Sequence, residues 1–349
     1  MNGVFLDWAA TSPIVRFPID TSKQWRNPNA AYAYEERKVL MDCEERIKAA
    51  IGAKGGHVLY FRCATDALEW LHSEGNKCMM AWAHSPYEHD AAVFGIESKP
   101  DELVGADFYC HQLVNQLTGE IHDIKYVHEQ LLQYDDVPFL ICDCTAAIHH
   151  ISLRASKVCQ YAEGICMSGH KLGCPDIAFM WIDDRLFNWL GGGKDMRNQW
   201  GLKHGSISVG HVLALADAVE WACDSKRLND AEKRYIRLFD CLYCELKKAD
   251  IDFSVIADMC PSTCAINAIR LNGINADALQ QYAASKDIYI SAGGSACNAA
   301  GDFRVLNAYG LSNDEAAEVV RVSFDDETTK ADIDKLVSVI KEYNERFVV

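Results

Sequence analysis

Short, almost uninterrupted apolar runs that alternate with helical patterns constrain the fold of this chain more than any other feature. The runs of this kind are HVLYF (57–61), CMMAW (78–82), PFLIC (138–142), GICM (164–167) and IAFMWI (177–182). A strand that is buried on both faces has such a composition, and helices between successive strands favour parallel pairing. We therefore predict an α/β fold with a large domain, whose mostly parallel sheet is covered by helices.

The pattern changes after the polar stretch CDSKRLND (223–230). The elements expected beyond it are a helix at 230–249, a strand at 264–271 exposed on one face, a helix at 276–286, strands at 288–291 and 319–324, and a helix at 330–346. Strands of alternating pattern mixed with helices indicate a smaller α+β C-terminal domain with its own sheet. We predict a large domain at 11–226 and a small domain at 227–349, and leave open whether residues 1–10 pack on the small domain.

Charge and composition exclude several classes of protein. The net charge of −16 disfavours a nucleic-acid partner, because such a surface repels phosphate. No run of about 18 apolar residues is present, so we expect no membrane span, and the first residues do not resemble a secretory signal. We expect a cytoplasmic protein whose fifteen cysteines are reduced, with Cys78 and Cys166 in the core because they lie in apolar runs.

Polar residues that follow the predicted strands indicate a cofactor. Asp143 follows PFLIC, Lys171 follows GICM, and a turn of small residues at Ala64 and Thr65 leads from HVLYF into a helix. The start of a helix binds phosphate, and ligands of open α/β sheets lie beyond the carboxyl ends of the strands. A phosphate site, a lysine and a carboxylate at one sheet edge suggest pyridoxal 5'-phosphate, although each residue alone is more often a solvated side chain, a turn former or a helix cap.

Seven segments in the same order resemble the cysteine desulfurases, a family of the class V aminotransferase fold. These segments are FLDWAAT (5–11), EHDAAV (88–93), ICDCT (141–145), SGHKLGCPD (168–176), LKHGSIS (202–208), SAGGSAC (291–297) and VVRVSF (319–324). The resemblance covers nearly the whole chain. It implies a fold-type I pyridoxal phosphate enzyme that converts L-cysteine to L-alanine and supplies sulfur for iron–sulfur clusters or thiolated products. It also implies a homodimer with shared active sites and a sulfur-acceptor protein as partner.

The resemblance further implies a role for each matching residue. Lys171 would hold the cofactor as a Schiff base and move the substrate Cα proton, and Asp143 would keep the pyridinium nitrogen protonated. His89 would stack on the ring and act as a further catalytic residue that assists proton transfer. Arg321 would clamp the substrate carboxylate. The residues expected at the cofactor phosphate are Ala64, Thr65, Ser168, His170 and, from the partner subunit, Ser206.

Cys297 is implied to be the sulfur-carrying nucleophile. It lies in ISAGGSACNAAGDF (290–303), a loop of small residues that we expect to be mobile. Without the resemblance, such a cysteine is more often a small residue that fills a turn.

Three positions depart from the family pattern. Ala146 stands where a glutamine usually contacts the phenolic oxygen of the cofactor, and Cys63 stands where a glycine is usual in the phosphate turn. Either Asn115 or Gln116 would face the cofactor ring. These departures leave two alternatives open: an enzyme of the same fold with another substrate (a selenocysteine lyase, a carbon–sulfur lyase or an aminotransferase), or a degenerate sulfur-transfer scaffold.

Two cysteine and histidine patterns suggest metals less strongly than they suggest packing. The pairs Cys241–Cys244 and Cys260–Cys264 have nearly the spacing of a zinc site. Cys241 and Cys244 also have the spacing of residues that share the buried face of a helix, and we favour that interpretation. His149–His150 follows an apolar strand without a pattern of further ligands, so we expect no metal.

Overall fold

The computed structural model describes residues 3–174, 176–293 and 303–348, so Cys297 lies outside the described residues. The chain forms two compact units. The large unit consists of Ile14–Leu113 and Asp123–Leu228, and the small unit of Met1–Pro13, Val114–His122 and Asn229–Val349. The domain boundaries expected from the sequence stay a prediction, because compactness alone does not show that a segment folds independently.

The described residues form thirteen strands and twelve α-helices. The strands are β1 Val4–Phe5, β2 His57–Phe61, β3 Trp82–His84, β4 Ile96–Glu97, β5 Phe108–Cys110, β6 Phe139–Asp143, β7 Gly164–Ser168, β8 Ala178–Ile182, β9 Phe253–Val255, β10 Ile266–Leu271, β11 Ile288–Tyr289, β12 Ser291–Ala292 and β13 Val319–Ser323. The helices are α1 Tyr34–Ile51, α2 Ala64–Lys77, α3 Ile124–Leu131, α4 Leu153–Ser156, α5 Val158–Tyr161, α6 Asp184–Trp189, α7 Val209–Ala222, α8 Ser225–Lys248, α9 Ala276–Ala284, α10 Arg304–Ala308, α11 Asn313–Ala316 and α12 Lys330–Phe347. Two 3₁₀ turns lie at Asp90–Ala92 and Gly169–Leu172.

The large unit contains a seven-stranded sheet in the order β2-β8-β7-β6-β5-β3-β4. Strand β8 is antiparallel to both of its neighbours, and the other neighbouring pairs are parallel. Helix α2 packs on β8 and β7 and contributes Leu68 and Leu71 to the core of this unit. The predicted α/β fold with a mostly parallel, helix-covered sheet is confirmed.

An aromatic stack at the centre of this core joins two strands of the sheet. The rings of Trp82 on β3 and Phe108 on β5 lie 4.2 Å apart and 6° from parallel. Both side chains are buried. Such a stack contributes packing and ring–ring attraction in addition to burial of apolar area.

Two sequence expectations about this unit are wrong. The run CMMAW (78–82) forms no strand before Trp82, where β3 begins. Cys78 instead caps the C-terminus of α2, and Met79 adopts a left-handed conformation with φ of 59°. Cys78 is consequently exposed instead of buried in the core.

The 18-residue helix α1 was not predicted, although its buried positions Leu40, Cys43 and Ile47 have helical spacing. Charged residues between those positions hid the pattern.

The small unit contains a four-stranded antiparallel sheet in the order β12-β13-β10-β9. Strand β1 pairs in parallel with β11 of the same unit. The expectation that β10 exposes one face is wrong, because five of its six residues are buried. Strand β10 is a central strand, and its apolar side chains are covered on both faces. Among the described residues, no helix combines the length and apolar character needed to cross a bilayer.

Candidate active site

Lys171 and Asp143 follow two neighbouring parallel strands of the large unit. Asp143 is the last residue of β6 and is opposite Cys166 of β7 in the register of the sheet. Lys171 lies in the 3₁₀ turn Gly169–Leu172, directly after β7. Both residues are half-buried. Because the carboxyl ends of parallel strands meet at one edge of the sheet, the amine and the carboxylate are presented at the same edge.

Asp143 keeps one carboxylate oxygen available. Its Oδ1 accepts a hydrogen bond from the Thr145 amide at 2.8 Å, which fixes the orientation of the side chain. Its Oδ2 accepts no hydrogen bond from the described residues. The neighbouring Thr145 Oγ1 is buried and also has no hydrogen-bond partner in the described part of the chain. This edge of the sheet therefore offers a carboxylate oxygen and a hydroxyl to a bound group.

The first turn of α2 and the end of β7 form a candidate phosphate site. The Ala64 amide, the first of helix α2, donates to Ser168 Oγ at 2.8 Å. Thr65 is the next helical residue and is half-buried. Cys63 caps the helix, because its Sγ accepts from the Asp66 amide at 3.4 Å. A thiol thus serves as the helix cap in this turn, and the helix dipole favours an anion beyond it.

His89 is held in one tautomer by the backbone. It precedes the 3₁₀ turn Asp90–Ala92, and its Nδ1 accepts from the Ala91 amide at 3.1 Å. The ring proton of neutral His89 therefore lies on Nε2. Glu88, which the sequence interpretation did not consider, is fully buried and accepts a hydrogen bond from the Gln112 amide through Oε1. Its position beside His89, in the same short segment, was the available signal.

His170 and His149, which neighbour the Lys171 charge, are uncharged at neutral pH. Burial, reinforced by the Lys171 charge, lowers the pKa of His170 to about 4. Burial also lowers the pKa of His149 well below its usual value, with smaller contributions from neighbouring cations that include Lys171. The His150 Nδ1 lies 2.9 Å from the carbonyl oxygen of Ala146, so His150 donates there. Position 146 thus presents a buried methyl group and a carbonyl that is already bonded.

Ser206 lies in an exposed loop of the large unit. It lines a cavity of about 280 Å³ together with Lys203 and His204. An exposed position is what a residue needs in order to reach a second subunit, and its role toward the phosphate stays a prediction.

The small unit distinguishes the two candidates for the ring contact. Asn115 Oδ1 accepts from the amides of Leu117 at 2.8 Å and Thr118 at 3.0 Å, so this side chain stabilises its own turn. Gln116 Oε1 is buried and has no hydrogen-bond partner among the described residues. An unsatisfied buried amide oxygen is costly. Gln116 is therefore the residue with a free polar group to offer.

Arg321 is buried on the central strand β13 of the small unit. One terminal nitrogen, NH2, donates to Asp7 Oδ1 at 2.6 Å and to Ser291 Oγ at 3.2 Å. The other, NH1, donates to the Gln116 carbonyl at 3.1 Å. The sequence interpretation missed Asp7 and Ser291, although both lie in segments that carry the resemblance.

The metal interpretations can be compared with the structure. Within the described ranges, one group of side chains brings three potential ligand atoms within 4.8 Å of one another: Cys241, Glu245 and Asp334. Both carboxylates in it are paired with lysines. The expectation that Cys241 and Cys244 share the buried face of α8 is wrong for Cys244, which is exposed. Residues three apart are separated by about 60° around a helix, so one of them can lie at the solvent side.

The residues at the edge of the large sheet fit pyridoxal phosphate. A helix start beside a serine hydroxyl suits the phosphate, an open carboxylate oxygen suits the pyridinium nitrogen, and a lysine at the same edge suits the aldehyde. The fold and this set of groups define an α/β enzyme of the pyridoxal phosphate class.

Comparison with known proteins identifies the family. The model of the aminotransferase class-V family matches residues 106–336, about two thirds of the chain. The chain belongs to the class V aminotransferases, and its cofactor is pyridoxal 5'-phosphate. This confirms the family expected from the seven sequence segments.

Individual relatives are distant but extend over the chain. A protein of Halalkalibacterium halodurans that is named NifS, with a provisional assignment as cysteine desulfurase, is 22% identical over 383 aligned residues, which cover 98% of each protein. The IscS cysteine desulfurase of Shewanella sp. (strain W3-18-1) is 28% identical over 237 residues, 65% of this chain and 55% of that protein. A solved NifS-like protein has the same fold, with a TM-score of 0.80 at 19% identity over 98% of this chain and 99% of its own.

Proposed function

We propose that this protein is a pyridoxal-phosphate-dependent cysteine desulfurase, which converts L-cysteine to L-alanine and carries the sulfur as a persulfide on Cys297. The observation that carries the proposal is the placement of Lys171 and Asp143 after neighbouring parallel strands of the large sheet. Relatives named as cysteine desulfurases, one of them aligned over 98% of this chain, support the substrate.

The cofactor, when bound, withdraws electrons from the substrate Cα. Lys171 would hold it and move the Cα proton through Nζ, and Asp143 Oδ2 would receive the hydrogen bond from the ring nitrogen. His89 would stack on the ring in the tautomer that the Ala91 amide imposes. The Ala64 amide, Thr65, Ser168 and a neutral His170 would hold the phosphate.

Cys297 would act as the second nucleophile. Its thiolate forms a bond to the sulfur of the substrate while the carbon–sulfur bond breaks. The electron pair of that bond remains with the substrate carbon, which takes up a proton and leaves as part of alanine. The products are alanine and an enzyme persulfide, so atoms and electrons balance without an oxidant.

The remaining partners follow from the same proposal. The persulfide needs an acceptor protein, and the exposed Ser206 is available to a second subunit of a homodimer with shared active sites. A cytoplasmic location suits the reaction, because a reducing compartment keeps the Cys297 thiol from being lost to a disulfide. Iron–sulfur cluster assembly or thiolation would use the sulfur.

An assay of the purified holoenzyme tests the proposal. The protein is loaded with pyridoxal phosphate, its visible absorbance is recorded, and alanine and sulfide are measured after addition of L-cysteine and a thiol reductant. We expect equal amounts of both products, loss of turnover in Lys171→Ala and in Cys297→Ser, and a mass increase of one sulfur atom on Cys297 without reductant. Cys244→Ser, which removes an exposed cysteine, is the matched control and should keep full activity.

Ala146 favours a second candidate, an enzyme of the same fold with another substrate. The family glutamine is absent, and the Ala146 carbonyl is bonded to His150, so the phenolic oxygen of the cofactor lacks its usual contact. Under this candidate the absorbance band is present but L-cysteine is not turned over, and selenocysteine, other thioether amino acids or keto acids should be tested. Alanine formation that persists in Cys297→Ser would contradict the persulfide step.

A further inference from the structure

Arg321 is a charged residue in an environment that requires a counter-ion. It lies on the central strand β13, and only 3% of its side chain is exposed. A guanidinium that is removed from water is costly unless an anion pairs with it. Asp7 supplies that anion, with 2.6 Å between Oδ1 and NH2 and 17% of the Asp7 side chain exposed.

The backbone around Asp7 is held independently of this ion pair. The Ser323 amide donates to the Leu6 carbonyl at 2.8 Å, and the Ala9 amide donates to Ser323 Oγ at 2.9 Å. On the other side, the Leu6 amide donates to the Tyr289 carbonyl at 2.9 Å. The segment that carries Asp7 is thus fixed between two strands of its unit, and Asp7 is a rigid anchor for the arginine.

The hydrogen bonds of Arg321 leave part of the guanidinium open. NH2 is held by Asp7 and, at the longer distance of 3.2 Å, by Ser291, and NH1 donates to the Gln116 carbonyl. Nε is buried and has no hydrogen-bond partner in the described residues. Nε and NH2 share one edge of the planar guanidinium, and that edge is where a carboxylate makes a two-pronged contact. Asp7 therefore fixes the edge that contains the open donor.

We propose that Asp7 is a positioning residue, which holds Arg321 so that the Nε–NH2 edge receives the α-carboxylate of an amino-acid substrate. When the carboxylate binds, NH2 gives up its hydrogen bond to Ser291, because that bond is longer than the one to Asp7. Asp7 itself touches neither the substrate nor the cofactor. The inference rests on the proposed function only in taking Arg321 as the carboxylate clamp.

Paired ligands with and without a carboxylate test this role without turnover. The holoenzyme is titrated with L-alanine and with ethylamine, its decarboxylated counterpart, and binding is followed by the visible absorbance of the cofactor. We expect Asp7→Ala to weaken L-alanine binding about tenfold, because Arg321 loses its charged tether, and to change ethylamine binding by less than about twofold. Asp7→Asn keeps an acceptor of the same shape but not the charge, and should recover part of the loss.

Controls separate positioning from a general structural effect. Asp258→Ala removes an exposed acid of the same unit and should bind both ligands as the wild type does. In an Arg321→Ala background, Asp7→Ala should cause no further loss of L-alanine binding. If Asp7→Ala does not fold, Asp7→Asn carries the same comparison, with a smaller loss that is still confined to L-alanine.

The inference is overturned if Asp7→Ala weakens both ligands equally or leaves both unchanged. It is also overturned if the loss persists in full in the Arg321→Ala background. A wild-type enzyme that produces no sulfide from L-cysteine, but in which Asp7→Ala selectively weakens L-alanine, would refute the proposed desulfurase function and still support the role of Asp7.

Discussion

Removal of the Tyr309 hydroxyl should destabilise the small unit in a manner that depends on pH. Tyr309 donates to Glu120 Oε2 at 2.5 Å, and the same hydroxyl lies 3.2 Å from Thr118 Oγ1. These contacts hold the residue after α10 against the segment 114–122, which also carries Gln116. Tyr309→Phe keeps the ring and removes only the donor.

The magnitude follows from the pKa of Glu120. Burial acts to raise this pKa, but the hydrogen bond from Tyr309 and the polar contacts with His122 and Cys260 outweigh it and lower the pKa from 4.5 to about 2. A fully shielded carboxyl with such a change would contribute about 3 kcal/mol to the free energy of unfolding. The Glu120 side chain is 19% exposed, so solvent screening reduces this to about 1–2 kcal/mol. The donors must also offset the cost of burial, so each contributes more than a third of this net value, and we assign about 1 kcal/mol to Tyr309.

The sign of the pH dependence is set by the lowered pKa. A carboxyl whose pKa is lower in the folded than in the unfolded state stabilises the fold above the unfolded value, near 4.5. That stabilisation declines as the pH falls below about 5 and is more than half lost near pH 3.

A double-mutant cycle measures the interaction. Urea unfolding of the wild type, Tyr309→Phe, Glu120→Gln and the double variant is followed by circular dichroism between pH 7 and pH 3. We expect a coupling free energy of about 1 kcal/mol at pH 7, which decreases toward pH 3. A coupling near zero at pH 7, or one that stays constant or grows on acidification, would refute the reasoning.

Three further predictions concern the site and the two cores. Ser168→Ala should loosen pyridoxal phosphate about tenfold in equilibrium dialysis, because the phosphate would lose the hydroxyl beside the first amide of α2; unchanged retention of the cofactor would argue against a phosphate site there. Gly119→Ala should destabilise the small unit by more than about 2 kcal/mol in urea unfolding, since the residue has φ of 74° and a new Cβ would collide with a carbonyl of β10. Phe108→Ala should cost about 3–5 kcal/mol in the same assay, because it removes the stacking partner of Trp82 from a closed core; a loss below 1 kcal/mol would contradict that packing.

The amino-acid sequence by itself determined the elements whose burial dictates their composition. Strands β6, β7 and β8 are covered on both faces and must be apolar along their length, so each is visible as a continuous run. The residues that follow such runs come to the edge of a parallel sheet, which is why Asp143 and Lys171 could be predicted at the same edge. Helix α1 was not predicted, because it is buried along one face only and so forms no continuous apolar run.

Only the tertiary structure decided which distant residues share their hydrogen bonds. Asp7 and Arg321 are 314 positions apart, and no local pattern shows that the segment after β1 meets β13 and brings them to 2.6 Å. The difference between Asn115 and Gln116 was likewise a matter of three-dimensional contacts, since both are polar neighbours in one turn and only one of them bonds to that turn. Periodicity reports how a segment is buried, because burial acts on each residue in place. The pairing of charges and amides depends on the path of the whole chain, and that path is defined only when the strands of each unit have paired.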